Sequence, residues 1–314
     1  MRKQKFVIVS PKGKSGGVIV LHTLCKCLAD LGYDARMFYI LDSEYREKKK
    51  YWIRYIKYRY AGMLGLLFPH FRYAYDLDSK SYEEIPIKNI RTKSIPWVSA
   101  DTVVVYPEIV YGNPLNSKKC VRWFLYYNRF AKEEYSKNDL FICYREIFND
   151  WELNPEGRRI YLSYFDTELY KRTNFGSRNG KCYIIRKGRG RKDLPTNFEG
   201  PIIDNFTEEE KVAIFNSCEY CISYDTQTAY SLIASLCGCI SVVIPEEGKS
   251  RADYDISEDF SGLEYVAFGM DKNEIECATS AMGKVNEWFE KVNDESRYQA
   301  ELLVNYCNDH FVTS

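Results

Sequence analysis

Two short stretches carry side chains of the kinds that grip anions and hydroxyl groups. The first is IIRKGRGRK, Ile184 to Lys192, with five cations in seven residues: Arg186, Lys187, Arg189, Arg191 and Lys192. It directly follows an apolar run read as a strand, and Gly188 and Gly190 would let bare backbone approach an anion closely. Arginine can hold a phosphate with two parallel hydrogen bonds. The plainer reading is a solvated basic turn. The second stretch is SYDTQTAYSLIASLCGCISVVIPEEG, Ser223 to Gly248. It places Asp225, Thr226, Gln227 and Thr228 where a strand passes into a helix. Asp225 or Thr226 would serve there as an N-cap, or would hold a ligand at unpaired helix N–H groups.

A third candidate is SPKGKSGGVIVLH, Ser10 to His22, in which Ser15, Gly16 and Gly17 open a helix. Gly13-Lys14-Ser15 imitates the end of a P-loop, but Ile8 stands where that motif needs its first glycine. A glycine pair here means either a tight turn or a loop on which a substrate lies.

The elements that must position these residues follow from periodicity. Lys5–Ser10 reads as a buried strand, Val18–Leu31 as a helix with the stripe Leu21, Leu24, Leu28, Leu31, and Ala35–Ile40 as a second strand. Apolar runs at 102–106, 120–126 and 140–144 supply further strands, with Arg158–Phe165 as a last one. The polar stretch Lys171–Gly180 has linker composition, after which the pattern restarts. Lys181–Ile185 is a strand, and Thr207–Asn216 is a helix opened by a Thr207/Glu210 capping box. Tyr220–Tyr224, Ile240–Ile244 and Leu263–Phe268 are strands, Thr226–Leu236 is a helix, and helical sequence closes the chain from Asn273 to His310. The expected fold class is α/β, with two Rossmann-like domains facing a cleft. The expected boundaries are 1–170 and 181–290, with 291–314 forming a helix that packs back toward the first domain.

Bulk properties agree with a globular chain. The 314 residues suit two domains, and 44 basic against 44 acidic residues argue against a general polyanion binder. A nucleic-acid module is therefore not expected. No run of 18 apolar residues predicts a membrane span, and the basic N-terminus lacks the apolar core of a secretory signal. The eleven cysteines lie mostly in apolar runs, which predicts free thiols in a reducing cytoplasm. Cys218-x2-Cys221 with Cys237-x-Cys239 comes near zinc-ribbon spacing, but helix and strand fill the interval and the second gap is wrong. The pairs Asp76/Asp78 and Asp253/Asp255 read as solvated loop acids. No metal and no cofactor are expected.

Residues 45–68, YREKKKYWIRYIKYRYAGMLGLLF, form a basic, aromatic, amphipathic pattern. Ile53, Ile56, Tyr60, Met63 and Leu67 make one helical stripe, and Lys50, Arg54 and Lys57 lie on another face. Such a helix suits an anionic membrane surface, or packs its stripe on the core and solvates the rest.

The succession of strand, basic loop, capped helix, strand and SYDTQTAYSLIASLCGCISVV resembles the C-terminal domain of GT-B fold glycosyltransferases. SGGVIVLHTLCKCLADLGYDARMF is similar to their N-terminal Gly-loop and first helix. VVVYPEIVYGNPL and CYIIRKGRGRK resemble stretches of a branch found among bacterial surface-polysaccharide enzymes. The resemblance implies transfer of a sugar from a nucleotide-activated donor to a glycan, polysaccharide or lipid-linked acceptor, at the inner face of the membrane or in the cytoplasm. It implies that Arg186 and Lys187, with Arg191 second, neutralise the departing diphosphate, and that Asp225, Thr226 and Thr228 hold donor hydroxyls. Ser15, Gly16 and Gly17 would form the acceptor-side loop. An inverting reaction needs a base, for which Glu108 is the first candidate and His22 the second; an ion pair and a helix-packing role are their plainer readings. Many retaining members carry two Glu residues ahead of the Gly turn. Here Asp225 takes the first position and Ile233 the second, so a non-catalytic sugar- or nucleotide-binding protein on the same scaffold is the alternative.

Overall fold

The computed structural model describes residues 4–11, 15–40, 56, 60, 63, 87, 90, 91, 98–226, 228–254 and 262–312. They divide into two compact units, Met1–Tyr164 with Asn293–Ser314, and Phe165–Val292.

In the first unit β1 (Lys5–Pro11), α1 (Gly16–Asp30) and β2 (Asp34–Ile40) open the chain, followed by β3 (Thr102–Pro107), β4 (Lys119–Phe124) and β5 (Leu140–Cys143). All five strands are parallel, in the order β2-β1-β3-β4-β5. Strand side chains alternate between the two faces. Phe6 and Ile8 pack with Leu21, Leu24 and Leu28 of α1 and with Leu303, Val304 and Cys307, while Val7 and Val9 pack with Val104, Tyr106, Val110 and Leu115. The strand order reverses at β1, which makes the carboxyl ends of β1 and β3 the switch point where open α/β sheets bind ligands.

The second unit holds β6 (Lys181–Ile184), α2 (Glu208–Ser217), β7 (Tyr220–Ser223), α3 (Tyr230–Leu236), β8 (Ile240–Val243), β9 (Ala267–Phe268) and α4 (Lys272–Ala281). Its four strands are parallel in sequence order. The capping box is present: Thr207 Oγ1 accepts Glu210 N–H, and Glu210 accepts Thr207 N–H. The last helix, α5 (Val285–Val312), gives its residues up to Val292 to the second unit and those from Asn293 to the first.

Four expected elements differ. Arg158–Phe165 makes only an isolated bridge, Cys143 to Arg159. Its next amides go to α5 side chains instead of a strand: Tyr161 N–H to Gln299 Oε1 and Ser163 N–H to Ser296 Oγ. The linker-like Lys171–Gly180 is fastened to the second unit, since Asn216 Oδ1 accepts Thr173 N–H at 2.7 Å and Arg178 donates to the Phe215 carbonyl at 2.6 Å. Leu263–Tyr265 is a 3-10 turn, and only Ala267–Phe268 is strand. The helix expected from Thr226 begins at Tyr230.

Ile56, Tyr60 and Met63 are helical and exposed, by 64%, 60% and 43%. The rest of the 45–68 pattern, together with Asp76/Asp78 and Asp255, lies outside the described residues. Among those described, no helix is long and apolar enough to cross a membrane. Ten of the eleven cysteines are buried, and all are free thiols. Cys182, Cys218, Cys221, Cys237 and Cys239 all lie in the core of the second unit, and Cys237 gives its carbonyl to Arg178. Among the described residues no His, Cys, Asp or Glu group has a metal-holding arrangement.

Candidate functional site

The basic stretch after β6 folds into a 3-10 turn, Arg186–Gly190. Asp204 holds it in place: its carboxylate accepts Ile185 N–H at 3.0 Å, Arg186 N–H at 2.8 Å and the Arg189 guanidinium at 3.2 Å. Arg186 takes a positive φ of 35° as the chain turns over this carboxylate. Gly188 is pressed against the end of β7, so closely that a Cβ there would lie 2.3 Å from the Tyr224 carbonyl oxygen. Only glycine fits that approach.

The turn and the segment after β7 therefore share one edge. The Arg186 guanidinium lies over the Tyr230 ring at 5.3 Å, with Arg186 and Lys187 exposed. Tyr230 is itself gripped. Its hydroxyl donates to Glu208 Oε1 at 2.6 Å, and Lys211 Nζ sits 4.5 Å from its ring centre. Glu208 also accepts from Tyr170 Oη and Lys211 Nζ. Burial pushes the Glu208 carboxyl up, but the hydrogen bonds from Lys211, Tyr170 and Tyr230 outweigh it and hold the group below its ordinary range.

Arg191 has a different place from Arg186 and Lys187. Its guanidinium donates to the carbonyls of Tyr224, Ile244 and Pro245 and pairs with Asp193. It ties together the ends of β7 and β8, and its side chain is only 11% exposed. Its donors are thus taken by backbone oxygens and by the Asp193 carboxylate.

Asp225 is buried at 2% exposure and does not cap the helix. Ala229 is the N-cap, with no side-chain cap bond, and Thr228 Oγ1 accepts Tyr230 N–H at 3.3 Å. A hydroxyl that binds the amide two residues on competes with helical pairing, which is why the helix starts late. With seven residues, α3 is too short to supply the expected anion-binding N-terminus. Thr226 and Thr228 are half-buried beside the basic turn's anchor, Tyr224, and Gln227 lies outside the described residues. Ile233 is buried in the core of the unit.

In the first unit, Ser15 is the N-cap of α1, and Ser15 and Gly16 are exposed at the carboxyl end of β1. Gly17 faces the Leu125 side chain, to which a Cβ would stand 3.5 Å away. Glu108 follows β3 at the same sheet edge, and its Oε2 accepts Leu125 N–H at 3.1 Å just beyond β4. The loop that carries Glu108 is pinned by Tyr106 Oη donating to Asn113 and by Arg122 donating to the Gly112 carbonyl. Arg122 is buried in an ion pair with Asp139, Nε to Oδ2 2.7 Å. Burial raises the Glu108 carboxyl above its ordinary range, against the lowering effect of backbone N–H groups and Arg129.

His22 lies elsewhere. It is fully buried within α1, with Nδ1 2.6 Å from the Val18 carbonyl and Nε2 2.5 Å from Tyr39 Oη. Both ring nitrogens are engaged, and burial lowers its pKa. His22 thus sits as a packed core residue, the plainer of its two expected readings.

No family model matches the sequence, and no curated protein matches it. Among solved structures, this chain is similar to a glycosyltransferase from Rickettsia africae ESF-5, at 8% identity and TM-score 0.44 with all of both chains covered. It is also similar to a sucrose-phosphate synthase from Thermosynechococcus elongatus, at 9% identity and TM-score 0.39, covering 95% of this chain and 94% of that one. A third is glycosyltransferase SnogD from Streptomyces nogalater, at 12% identity and TM-score 0.40, covering 97% and 100%. Likeness at such identities and scores carries neither a site nor an activity over to this chain.

Asp204, Glu208 and Tyr230 were not legible as site residues. Asp204 stands 18 positions from the amide it holds, and Glu208 stands 22 from Tyr230. Only the Glu208–Lys211 spacing, one helical turn, hinted at a paired carboxylate.

Proposed function

We propose that this chain is a glycosyltransferase that moves a sugar from a nucleotide diphosphate to an acceptor hydroxyl. The observation that supports it most is the exposed basic turn at the carboxyl end of β6, with Arg186 seated over Tyr230 beside the Thr226–Thr228 segment. A departing diphosphate gains negative charge in the transition state, and fixed cations stabilise it most when they need not reorganise. Asp204 and Tyr230 pre-set that geometry, and Arg186 and Lys187 supply the charge. In this reading Thr226 and Thr228 bind donor hydroxyls, and Asp225 acts from its buried place as support. The cations take the charge-neutralising part, so activity persists in EDTA.

In the first unit Glu108 is the base, with Ser15, Gly16 and Gly17 offering backbone to the acceptor. A carboxyl whose pKa is raised by burial is better matched to accepting a hydroxyl proton near neutral pH. The acceptor is a glycan or lipid-linked glycan of surface-polysaccharide assembly. The exposed apolar residues Ile56, Tyr60 and Met63 support a peripheral position at the inner face of a membrane.

A second reading is a non-catalytic nucleotide- or sugar-binding protein. Burial of Asp225 and the apolar Ile233 favour it, since neither presents a carboxylate to a ribose. A thermal-shift screen of UDP, GDP, CMP, TDP and their sugars, on wild type, Arg186→Ala and Asp225→Ala, followed by assay of sugar release, separates the readings. At about 100-fold excess over its dissociation constant a bound nucleotide stabilises by about 2.7 kcal/mol. A shift lost in Arg186→Ala together with turnover supports the transferase. A shift without turnover supports the binding protein, and no shift with any nucleotide defeats both.

A further inference from the structure

Beyond the Glu108 edge, the first unit leaves two tyrosine rings in solvent, packed on a half-buried phenylalanine. Tyr126 and Tyr127 follow β4 and are 50% and 46% exposed; Phe148 sits on the short turn after β5. Each ring touches the other two, with centroids 4.9 Å apart for Tyr126–Tyr127, 5.1 Å for Tyr126–Phe148 and 5.2 Å for Tyr127–Phe148. Ile147 and Trp151 beside them in sequence are 67% and 56% exposed.

The backbone beneath these rings is tied down. Tyr144 N–H donates to the Phe124 carbonyl at 2.9 Å. The Asn128 amide donates to Asp150 at 2.8 Å and to the Phe130 carbonyl at 2.9 Å, and Tyr135 Oη donates to Asn128 Oδ1. Asp150 in turn accepts the N–H groups of Glu152 and Leu153. Two loops are thus stapled side by side, and Tyr126 and Tyr127 are held in the open instead of folding onto the core. Contiguous exposed apolar patches mark contact sites.

We infer that Tyr126 and Tyr127, their rings inclined by 74° to each other and backed by Phe148, form a stacking platform on which each tyrosine offers a face to one sugar of a neutral saccharide chain. A pyranose presents C–H groups on its face and hydroxyls on its rim, which suits flat rings bordered by two phenol hydroxyls. The exposed charges nearby are mixed, Arg129 and Arg145 against Glu146 and Glu152. That balance suits an uncharged ligand, whereas a nucleic acid would call for a positive groove. The platform is also continuous with the proposed acceptor edge, because the amide of Leu125, the residue before Tyr126, hydrogen-bonds Glu108. The inference rests on the proposed function only in taking that saccharide to be the acceptor.

The test is saturation-transfer NMR on the full chain with maltohexaose, cellohexaose, chitohexaose and mannohexaose, with an oligo-dT control. It is repeated on Tyr127→Ala, Tyr127→Phe and, in the second unit, Phe175→Ala, each checked for an unchanged melting temperature. Transfer to at least one hexaose is expected, about five- to tenfold weaker in Tyr127→Ala and retained in Tyr127→Phe and Phe175→Ala. No transfer to any hexaose, equal transfer in Tyr127→Ala, or tighter binding of oligo-dT overturns the platform. A chain that binds a nucleotide sugar but no hexaose loses this inference alone. A chain that binds a hexaose but no nucleotide keeps the platform and loses the transferase reading.

Discussion

The Glu108 carboxylate accepts the backbone N–H of Leu125 at 3.1 Å, joining the loop that leaves β3 to the loop that leaves β4. One bond thus fixes a buried acid at the sheet edge where β1 and β3 end, and orients the chain that carries Tyr126 and Tyr127. A carboxylate anchored on one oxygen keeps its remaining lone pairs for a proton.

Burial raises the Glu108 carboxyl, so the acid stays protonated to higher pH in the folded chain than in the unfolded one. Its contribution to stability is full below the unfolded value and is lost as pH rises through the folded value. Activity runs the other way, because a base must be ionised. The acidic limb of the pH–rate profile is expected above the usual carboxylate range. Glu108→Gln should remove that limb and lower kcat by about 10²- to 10⁴-fold, with little change in the nucleotide-induced thermal shift.

For His22, burial lowers the pKa from its ordinary value of 6.5. The folded chain then binds the proton less readily than the unfolded one. The stability that follows is present above the ordinary value and is lost as pH falls below it. Urea unfolding of Tyr39→Phe, which leaves His22 Nε2 without its hydroxyl, should show a cost of about 1–3 kcal/mol. Turnover per folded molecule should be unchanged, and a loss of turnover without a stability change would restore His22 to the chemistry.

Gly188 and Gly190 flank Arg189 but have opposite surroundings. A Cβ on Gly188 meets the Tyr224 carbonyl, while one on Gly190 meets nothing within 4 Å. Gly188→Ala should destabilise the second unit by about 1–3 kcal/mol and weaken nucleotide binding by displacing the basic turn. Gly190→Ala should leave both within error. Differential scanning calorimetry with and without nucleotide reads the two effects separately.

Arg186 and Arg191 are expected to part in the same way. Arg191→Ala leaves three carbonyls at the ends of β7 and β8 without their donor, and unfolding should shift by about 1–3 kcal/mol. Arg186→Ala should leave the apo melting temperature near wild type and abolish the nucleotide-induced shift. Equal loss of apo stability in both variants would make Arg186 a structural residue and remove the main support for the anion site.

The sequence by itself determined the elements whose pattern is local. Continuous apolar runs marked β1 and β3, the leucine stripe marked α1, and the Thr207/Glu210 capping box marked the start of α2. It also placed the basic turn after a strand and Glu108 after another, since both follow from chain order. Local pattern failed where a distant partner claimed a backbone group. The amides of Tyr161 and Ser163 are taken by Gln299 and Ser296, so no strand forms there. Likewise the choice among five similar cations was made by tertiary packing. Three strand-end carbonyls captured Arg191, Asp204 drew in Arg189, and Arg186 was left over the Tyr230 ring. Side-chain chemistry is written in the sequence, but which donors remain available depends on which acceptors the fold brings within about 3 Å of them.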